Sequence, residues 1–245
     1  MIRTQMHGEI LEIAIARPEK RNAMTPAMLV DLKKSIGEIG PSVRTLLLSG
    51  DGNVFCAGFD LSLCKDSPNG QVMRSLLTGL HSCIGALFAL DMPVVIAAHG
   101  AAIAGGCAIL GGGDVVVTNA EAKLGYPVAR LGVSPAVSAP FLRNLAGDGV
   151  ARVRELENGL IDGRAALACG LAHECLDRAE DVRERSLQIA QHLASKPAGA
   201  MAATKRWLRE IAPISLAERG LQASLALVGG EEERRLLPAA WTTTR

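Results

Sequence analysis

Two glycine-bearing segments are the parts of this 245-residue chain whose residue types and spacing could do chemistry. The first is Phe55-Cys56-Ala57-Gly58-Phe59-Asp60, and the second runs from Gly100 to Gly106. Each follows an apolar run, as expected where a buried strand ends in a tight turn that exposes its backbone. Two such turns can direct two backbone N–H groups at one point, which is how an enzyme stabilises a developing oxyanion.

The two amide donors that this arrangement predicts belong to Phe59 and Gly105. The N–H of Phe59 follows the turn at Gly58, and that of Gly105 begins a short predicted helix whose dipole also favours negative charge. Each segment also has a purely structural interpretation, since Gly58 suits an ordinary turn and Gly105 suits close packing of a helix on a strand. Either signal is weak alone, whereas the pair in this order is specific.

The glycine turns need strands and helices to position them, and hydrophobic periodicity predicts these. Strands are predicted over residues 10–16, 45–49, 94–98 and 115–118, and helices over 26–39, 71–90 and 105–110. Their alternation to about residue 155 predicts an α/β fold with a parallel or mixed sheet. Helical spacing then continues over 163–169, 181–193, 199–211 and 216–228. We expect an α/β core over residues 1–190 and a helical C-terminal region over 191–245, in one functional unit.

Charge, aromatic content and cysteine spacing exclude several classes of protein. The formal net charge is +1 and aromatic residues make up 3 % of the chain, so neither a basic stripe nor a platform for stacking nucleic-acid bases is indicated. The six cysteines form no Cys-x-x-Cys pair and have no His at zinc-finger spacing, which predicts reduced thiols and no metal site.

The apolar segments predict neither a secretion signal nor a membrane span. The N-terminus lacks a charged-then-apolar pattern, and the longest apolar stretch, residues 84–98, is interrupted by Asp91 and Pro93. We therefore expect a cytoplasmic protein that does not insert into a membrane.

Several segments together resemble the crotonase (enoyl-CoA hydratase/isomerase) superfamily. The two glycine segments resemble the two halves of that family's oxyanion hole, and Arg17 to Met24 resembles its segment that contacts coenzyme A. Lys123 to Pro135 resembles the stretch that lines the acyl pocket, and Gly159 to Leu171 resembles the helix and turn after the core. The resemblance extends from about residue 5 to residue 215.

The resemblance implies a crotonase-like ββα superhelix core with a helical C-terminal trimerisation region, and a homotrimer or a dimer of trimers as the assembly. It implies an acyl-CoA substrate of fatty acid metabolism, with coenzyme A as part of the substrate and no separate cofactor. Phe59 and Gly105 would form the oxyanion hole. The residues implied along the coenzyme A and pantetheine channel are Arg21, Ala23, Ala57, Gly58, Asp60, Leu61 and Gly106.

The three positions where this family usually carries its acid–base carboxylates are apolar here. They are Ala108, Val128 and Ala136, and none of these side chains can move a proton. Because general acid–base help is commonly worth about 10²–10⁴ in rate, standard hydration of an enoyl-CoA does not fit this sequence. A decarboxylase-type member, which needs only enolate stabilisation, and a non-catalytic acyl-CoA-binding protein both stay open.

No replacement acid or base stands out near the glycine turns. His81 and Arg74 are predicted on a solvated helix face, His99 is predicted to be a hydrogen-bonded structural histidine, and Asp60 an exposed turn carboxylate. Other enzyme classes lack their motifs, since no Gly-x-Gly-x-x-Gly follows a strand and neither Gly-Lys-Ser/Thr nor Gly-x-Ser-x-Gly occurs.

Overall fold

The structure is a computed structural model that describes residues 1–67 and 69–242. The strands are β1 (Ile2–His7), β2 (Ile10–Ile15), β3 (Thr45–Gly50), β4 (Val94–Ala97), β5 (Ala101–Ile103), β6 (Val115–Asn119), β7 (Lys123–Gly125), β8 (Leu160–Ile161) and β9 (Glu174–Leu176). The helices are α1 (Pro26–Gly37), α2 (Gln71–Ala89), α3 (Gly105–Ile109), α4 (Ala139–Ala146), α5 (Asp148–Glu157), α6 (Gly163–Ala168), α7 (Asp181–Ala194), α8 (Ala198–Ile211), α9 (Ala217–Leu225), α10 (Glu231–Leu236) and α11 (Ala239–Thr242).

Most of the strands form one six-stranded sheet in the order β1-β2-β3-β4-β6-β9. β1 pairs antiparallel with β2 at one edge, and every later neighbouring pair is parallel. Parallel neighbours need crossover connections, and α1 and α2 supply the first two. The α/β class predicted from the sequence is confirmed.

A second, three-stranded sheet in the order β5-β7-β8 follows the carboxyl ends of β4 and β6 along the chain. Two isolated parallel bridges extend this layer, one between Met24 and Phe59 and one between Cys56 and Ala102. The chain thus passes repeatedly from a strand of the large sheet into the second layer. Both glycine segments lie in that layer, and this arrangement makes them neighbours.

The central strands are buried on both faces, which explains their unbroken apolar runs. On β3, Leu46 and Leu48 belong to the large core with α1 and α2, whereas Leu47 belongs to a smaller core beneath α7. Val95 of β4 and Val182 of α7 join Leu47 in that smaller core. Since alternate side chains enter two apolar layers, the strand period of two does not show in the sequence.

A buried carboxylate fastens α7 to the sheet. Glu12 of β2 is 1 % exposed, and it accepts hydrogen bonds from Ser49 Oγ at 2.6 Å and from Arg183 Nε at 2.7 Å. His7 Nε2 lies 2.9 Å from the same carboxylate. Burial acts to raise the pKa of Glu12, but the hydrogen bonds from Arg183, Ser49 and His7 outweigh it and lower the pKa to about 2.

The structure departs from the sequence-based expectation at several elements. α1 ends at Gly37 rather than at residue 39, and the region predicted to be helical after residue 155 contributes β9 to the large sheet. β9 has three residues, too few to show periodicity. The division predicted after residue 190 falls inside α7 and stays a prediction, and residues 243–245 of the predicted helical region lie outside the described residues.

α2 is the one helix of the described chain that is long and apolar enough, by length and composition, to cross a membrane. In the fold its Leu76, Leu80, Ile84 and Leu87 are buried, and the helix packs on α1 and α9. Its apolar composition is therefore explained by its place in the core.

Candidate active site

The two glycine segments are hydrogen-bonded to each other. The N–H of Cys56 donates to the Ala101 carbonyl at 3.0 Å, and the N–H of Ile103 donates to the Cys56 carbonyl at 3.0 Å. Gly58 has a φ of 101°, and a Cβ at that position would lie 3.0 Å from the carbonyl oxygen of Ile103. Only glycine adopts this positive φ readily and leaves room for the Ile103 carbonyl, so Gly58 lets the first segment approach the second.

Phe59 is held so that its own N–H faces away from the neighbouring backbone. The Met24 N–H donates to the Gly58 carbonyl at 2.7 Å, and the Asp60 N–H donates to the Met24 carbonyl at 2.9 Å. The residue between two such bonds directs its own N–H to the other side of the chain. Within residues 1–67 and 69–242, the N–H of Phe59 has no hydrogen-bond partner.

The second turn brings the N-terminus of α3 against Phe59. Ala104, just before the helix, has φ 52° and ψ −115°, a strained conformation for a residue with a Cβ. Its N–H donates to the Gly125 carbonyl at 2.8 Å, whereas the N–H of Gly105 has no partner in the described part of the chain. A Cβ on Gly105 would lie 2.9 Å from the Phe59 ring, so the two predicted donor residues are in contact.

A cavity of about 160 Å³ adjoins these two residues, and its wall is almost entirely apolar. Tyr126, Ser134 and Ser138 are the residues with polar side chains among those that line it. The apolar and glycine positions in the wall are Ala57, Phe59, Leu61, Met73, Leu77, Leu80, Ile103, Ala104, Gly105, Ala108, Pro127, Val128, Leu131, Val133, Pro135 and Val137. An apolar wall of this kind suits an acyl chain.

The three positions where the family resemblance implies acid–base carboxylates lie in or beside this wall. Ala108 and Val128 line the cavity, and Ala136 stands between Pro135 and Val137, which also line it. At these points the cavity presents only hydrocarbon.

Two hydroxyl groups of the wall have defined partners. Tyr126 is 2 % exposed and its hydroxyl donates to the Cys107 carbonyl at 3.2 Å; burial raises the pKa of Tyr126 well above its usual value, so the phenol stays neutral. Ser138 Oγ lies 2.7 Å from the Pro135 carbonyl oxygen and 3.1 Å from Oε1 of Glu155, which stands behind the wall.

Glu155 is a residue that the sequence reasoning missed. Burial raises its pKa to about 7, against the opposing effect of the hydrogen bond with Ser138. A signal was available, because Ala151, Arg154 and Glu155 follow the spacing of one helix face, and Ala151 is buried. An acidic side chain on the inward face of a predicted helix is unusual enough to mark a candidate.

The structure places only some of the predicted coenzyme A residues at the cavity. Ala57 and Leu61 line it. Arg21 is exposed beside them, and its carbonyl accepts the N–H of Ala57 at 3.0 Å. Arg21 and Ala23 do not line the cavity, but the Arg21–Ala57 bond joins their segment to the wall as one strip, and the Ala23 carbonyl accepts a hydrogen bond from Arg17 at 3.0 Å.

Like Arg21 and Ala23, the predicted residues Gly58, Asp60 and Gly106 lie outside the wall. Gly58 and Gly106 support the turns, since a Cβ on Gly106 would lie 2.5 Å from the carbonyl oxygen of Cys56. Asp60 is not the exposed turn carboxylate that we expected: its side chain is 11 % exposed and pairs with Arg17 at 2.8 Å. Although burial acts to raise it, hydrogen bonds from Ser62 and Arg17 hold the pKa of Asp60 below its usual value, which makes it a poor proton donor.

The histidines near the turns are outside the cavity. His99 is 7 % exposed with Nε2 2.9 Å from the Gly52 carbonyl oxygen, which confirms a structural histidine. His81 was predicted on a solvated face, but its ring packs against Phe141 with centroids 6.1 Å apart. Its Nε2 lies 3.5 Å from Glu218. In the described residues no group of three or more His, Cys, Asp and Glu side chains is placed to hold a metal ion.

Comparison with known proteins agrees with this geometry. The sequence profile of the family described as Enoyl-CoA hydratase/isomerase matches residues 5–228. The chain belongs to this family of the crotonase superfamily.

Among its enoyl-CoA hydratase/isomerase relatives, a Mycobacterium tuberculosis protein named as a probable enoyl-CoA hydratase is 30 % identical over 82 % of this chain and 78 % of its own. The 1,2-epoxyphenylacetyl-CoA isomerase of Escherichia coli is 27 % identical over 77 % of this chain and 74 % of its own. A crystal structure of an enoyl-CoA hydratase/isomerase from Xanthobacter autotrophicus superposes with a TM-score of 0.89 at 22 % identity, covering 99 % of this chain and 93 % of that one. The predicted crotonase-like fold is confirmed, while the relatives' names span different reactions.

Proposed function

We propose that this protein is an enzyme that processes an acyl-CoA thioester. In this proposal the N–H groups of Phe59 and Gly105 bind the thioester carbonyl oxygen as it becomes an enolate. The observation that carries it is that two amides, without hydrogen-bond partners among the described residues and on two turns bonded to each other, adjoin one apolar cavity. Fixed donors beside an apolar cavity stabilise a developing oxyanion strongly, because they are already oriented and need no reorganisation during the reaction.

We further propose that coenzyme A lies along the strip that begins at Ala57 and Leu61, with Gly58, Asp60 and Gly106 beneath it. Arg21 and Ala23 continue this strip at the surface, and Arg21 has no ion-pair partner in the described residues. An exposed guanidinium there could meet a phosphate of the coenzyme. Coenzyme A would be part of the substrate, no separate cofactor is needed, and the enzyme would act in cytoplasmic fatty acid metabolism.

Decarboxylation of a malonyl-type thioester is a second candidate reaction, favoured by the composition of the cavity. Within the described part of the chain no cationic side chain lines it, and Ala108 and Val128 are hydrocarbon where the family resemblance implies a carboxylate. A substrate carboxylate that enters such a cavity loses its hydration, and loss of CO₂ moves its negative charge onto the thioester enolate, whose oxygen the two N–H groups would bind. A protein that binds acyl-CoA without turnover is the remaining alternative.

The test of the proposed function compares Gly105→Pro with Gly105→Ala. Both variants add a Cβ, which would meet the flexible Phe59 and Met24 side chains at 2.9 and 3.0 Å, but only proline removes the N–H. With crotonyl-CoA and methylmalonyl-CoA as substrates, we expect Gly105→Pro to lose about 10²–10³ more in turnover than Gly105→Ala. Equal turnover in the two variants, with both folded by circular dichroism, would contradict the assignment of Gly105.

The wild-type protein separates the remaining alternatives in the same experiment. Loss of methylmalonyl-CoA alone would support decarboxylation, and loss of crotonyl-CoA would support hydratase or isomerase chemistry. Binding of both thioesters without turnover would support the non-catalytic alternative.

We also propose that the chain assembles as a homotrimer or as a dimer of trimers. The support is the exposed apolar stripe of α8, formed by Trp207, Leu208 and Ile211, which are 60, 55 and 58 % exposed in the single chain. Apolar residues at helical spacing on an outward face are typical of a subunit interface.

A further inference from the structure

We propose that Ser138 and Glu155 supply the proton transfers that the apolar positions Ala108, Val128 and Ala136 cannot. Ser138 would be the catalytic residue that exchanges a proton with the α-carbon of the acyl group. Glu155, acting through Ser138, would be the positioning residue that takes up and returns that proton. This inference rests on the proposed binding of an acyl-CoA thioester in the cavity.

The placement of the two residues is the first support. Ser138 lines the cavity at the start of α4 and is 1 % exposed, so its hydroxyl is sheltered from bulk water. Glu155 reaches it from α5, with Oε1 3.1 Å from Ser138 Oγ. α4 and α5 pack against each other, which fixes the distance between the two side chains. A carboxyl group behind a wall hydroxyl can deliver a proton to the cavity without lining it.

The hydrogen bonds of Ser138 support two protonation states. Its Oγ has one hydrogen but two neighbours that can accept one, the Pro135 carbonyl at 2.7 Å and Glu155 at 3.1 Å. Both contacts are hydrogen bonds at once only when Glu155 is protonated and donates to Oγ. When Glu155 is ionised, the hydroxyl can turn to it, because the Pro135 carbonyl still accepts the N–H of Ser138 at 2.8 Å.

The surroundings of Glu155 allow it to hold a proton near neutrality. On its own helix, Arg154 pairs with Glu157, and on α4 Arg143 pairs with Asp148 at 2.7 Å. Tyr126, the titratable group that faces it from beyond β7, stays neutral.

No ion pair to Glu155 forms within the described residues, and burial raises its pKa to about 7. A group of this pKa can both accept and donate a proton at neutral pH.

The proton transfer balances within these groups. The α C–H bond of the acyl group breaks, and its electron pair moves into the thioester to give an enolate whose oxygen accepts the N–H bonds of Phe59 and Gly105. The proton joins Ser138 Oγ while the hydroxyl hydrogen passes to ionised Glu155. Ser138 ends as a neutral hydroxyl and Glu155 as a neutral acid, and the reverse step restores both.

The test follows exchange of the α-hydrogens of butyryl-CoA for deuterium in D₂O, by mass spectrometry, between pH 5 and 9. The ionised form of Glu155 is the base, so exchange by the wild type should rise with pH through about 7 and then level off. Glu155→Gln and Ser138→Ala should each lower exchange by about 10² or more, with butyryl-CoA binding unchanged in calorimetry. Glu155→Asp should regain part of the rate.

The control is Arg152→Gln, which removes an exposed charge from the same helix without breaking an ion pair of the described residues, and it should exchange like the wild type. Wild-type exchange with an unchanged pH profile in Glu155→Gln would overturn the inference and show that Glu155 is structural. A loss of butyryl-CoA binding in Glu155→Gln that accounts for the whole loss of exchange would overturn it as well.

The inference and the proposed function can fail separately. Exchange that depends on the Gly105 N–H but not on Glu155 would remove the inference and leave the proposed function. Binding of butyryl-CoA with no exchange at any pH would also remove the inference, and would favour the non-catalytic alternative over the proposed enzyme. If the wild type binds neither butyryl-CoA nor crotonyl-CoA, both fall.

Discussion

At the scale of single residues, the candidate site depends mainly on backbone N–H groups. The side chains of the residues that carry them matter little. Phe59 and Gly105 would act through N–H groups, so most side-chain substitutions would leave the donors in place. What matters locally is the conformation that frees these amides. Gly58 reaches a φ of 101° as a glycine, whereas Ala104 holds φ 52° despite its Cβ. Strain of this kind persists where the surrounding hydrogen bonds determine the turn.

The strained turn gives a prediction about stability. Ala104→Gly should raise the free energy of unfolding by about 1 kcal/mol, because relief of about 1–3 kcal/mol of strain exceeds the added flexibility of the unfolded chain. Urea denaturation followed by circular dichroism measures it. Ala101→Gly, in the regular strand β5, is the matched control and should lower the same quantity by about 0.5–1 kcal/mol. A loss of stability in both variants would mean that the Ala104 turn is not strained.

At the scale of elements, the second layer of strands decides where the turns meet, and α7 secures the large sheet from the opposite face. The bridge between Cys56 and Ala102 joins the two glycine segments. The Glu12 carboxylate, bonded to Arg183 and Ser49, ties α7 to β2 and β3. Glu12 is buried whereas Arg183 is about half exposed, so loss of Arg183 leaves a buried carboxylate without its charged partner.

The Glu12 contact predicts how stability changes in acid. The pKa of Glu12 is about 2 in the folded protein against an ordinary value of 4.5, so its contribution is fully present above about pH 4.5 and is lost as the pH falls toward 2. Arg183→Met should lower the free energy of unfolding at pH 7 by about 2 kcal/mol. It should also reduce the further loss of unfolding free energy between about pH 4.5 and pH 2. Unfolding in urea at several pH values checks both effects.

Arg185→Met is the matched control on the same helix, since Arg185 pairs with the half-exposed Glu174. It should leave the acid profile nearly unchanged, because exposed pairs contribute little. A profile in Arg183→Met that matches the wild type would show that Arg183 does not lower the pKa of Glu12.

At the scale of the whole molecule, α8 is unusual for a surface helix. It turns long charged side chains toward the rest of the chain and large apolar side chains toward the outside. Its inner face carries Lys205, which is 9 % exposed and bonded to Asp114 at 2.6 Å, and Arg209, bonded to Asp91. Its outer face carries the apolar stripe of Trp207, Leu208 and Ile211. Charged groups facing inward and apolar groups facing outward support the proposal that a subunit interface covers α8.

The assembly prediction follows from this inversion. Trp207→Glu should shift the protein from trimers or hexamers toward monomers, and weaken subunit association by tenfold or more, because a buried tryptophan commonly contributes about 2 kcal/mol or more to an interface. Analytical ultracentrifugation over a range of concentrations measures the shift. Val30→Glu, which replaces a 66 % exposed valine on α1, is the control and should leave the assembly unchanged. A wild-type protein that is monomeric at high concentration would contradict the proposed assembly.

The sequence by itself determined the local features of this protein and its family. The apolar runs at Leu46–Leu48 and Val94–Ile96 fixed two central strands, and the glycines at 58 and 105 marked the two turns. The resemblance along most of the chain is confirmed, as is the α/β class. These features depend on near neighbours along the chain, on hydrophobic periodicity and on backbone angles that glycine reaches readily, so they can be predicted without coordinates.

Tertiary structure decided what depends on distant partners. The pairing of β9 with β6, the ion pair that hides Asp60 and the contact of Glu155 with Ser138 each join residues that no local pattern connects. The raised pKa of Glu155 in particular comes from burial between helices, and burial is a property of the packed molecule rather than of the residue type. A sequence shows that a carboxylate is present, and only the fold shows whether water reaches it.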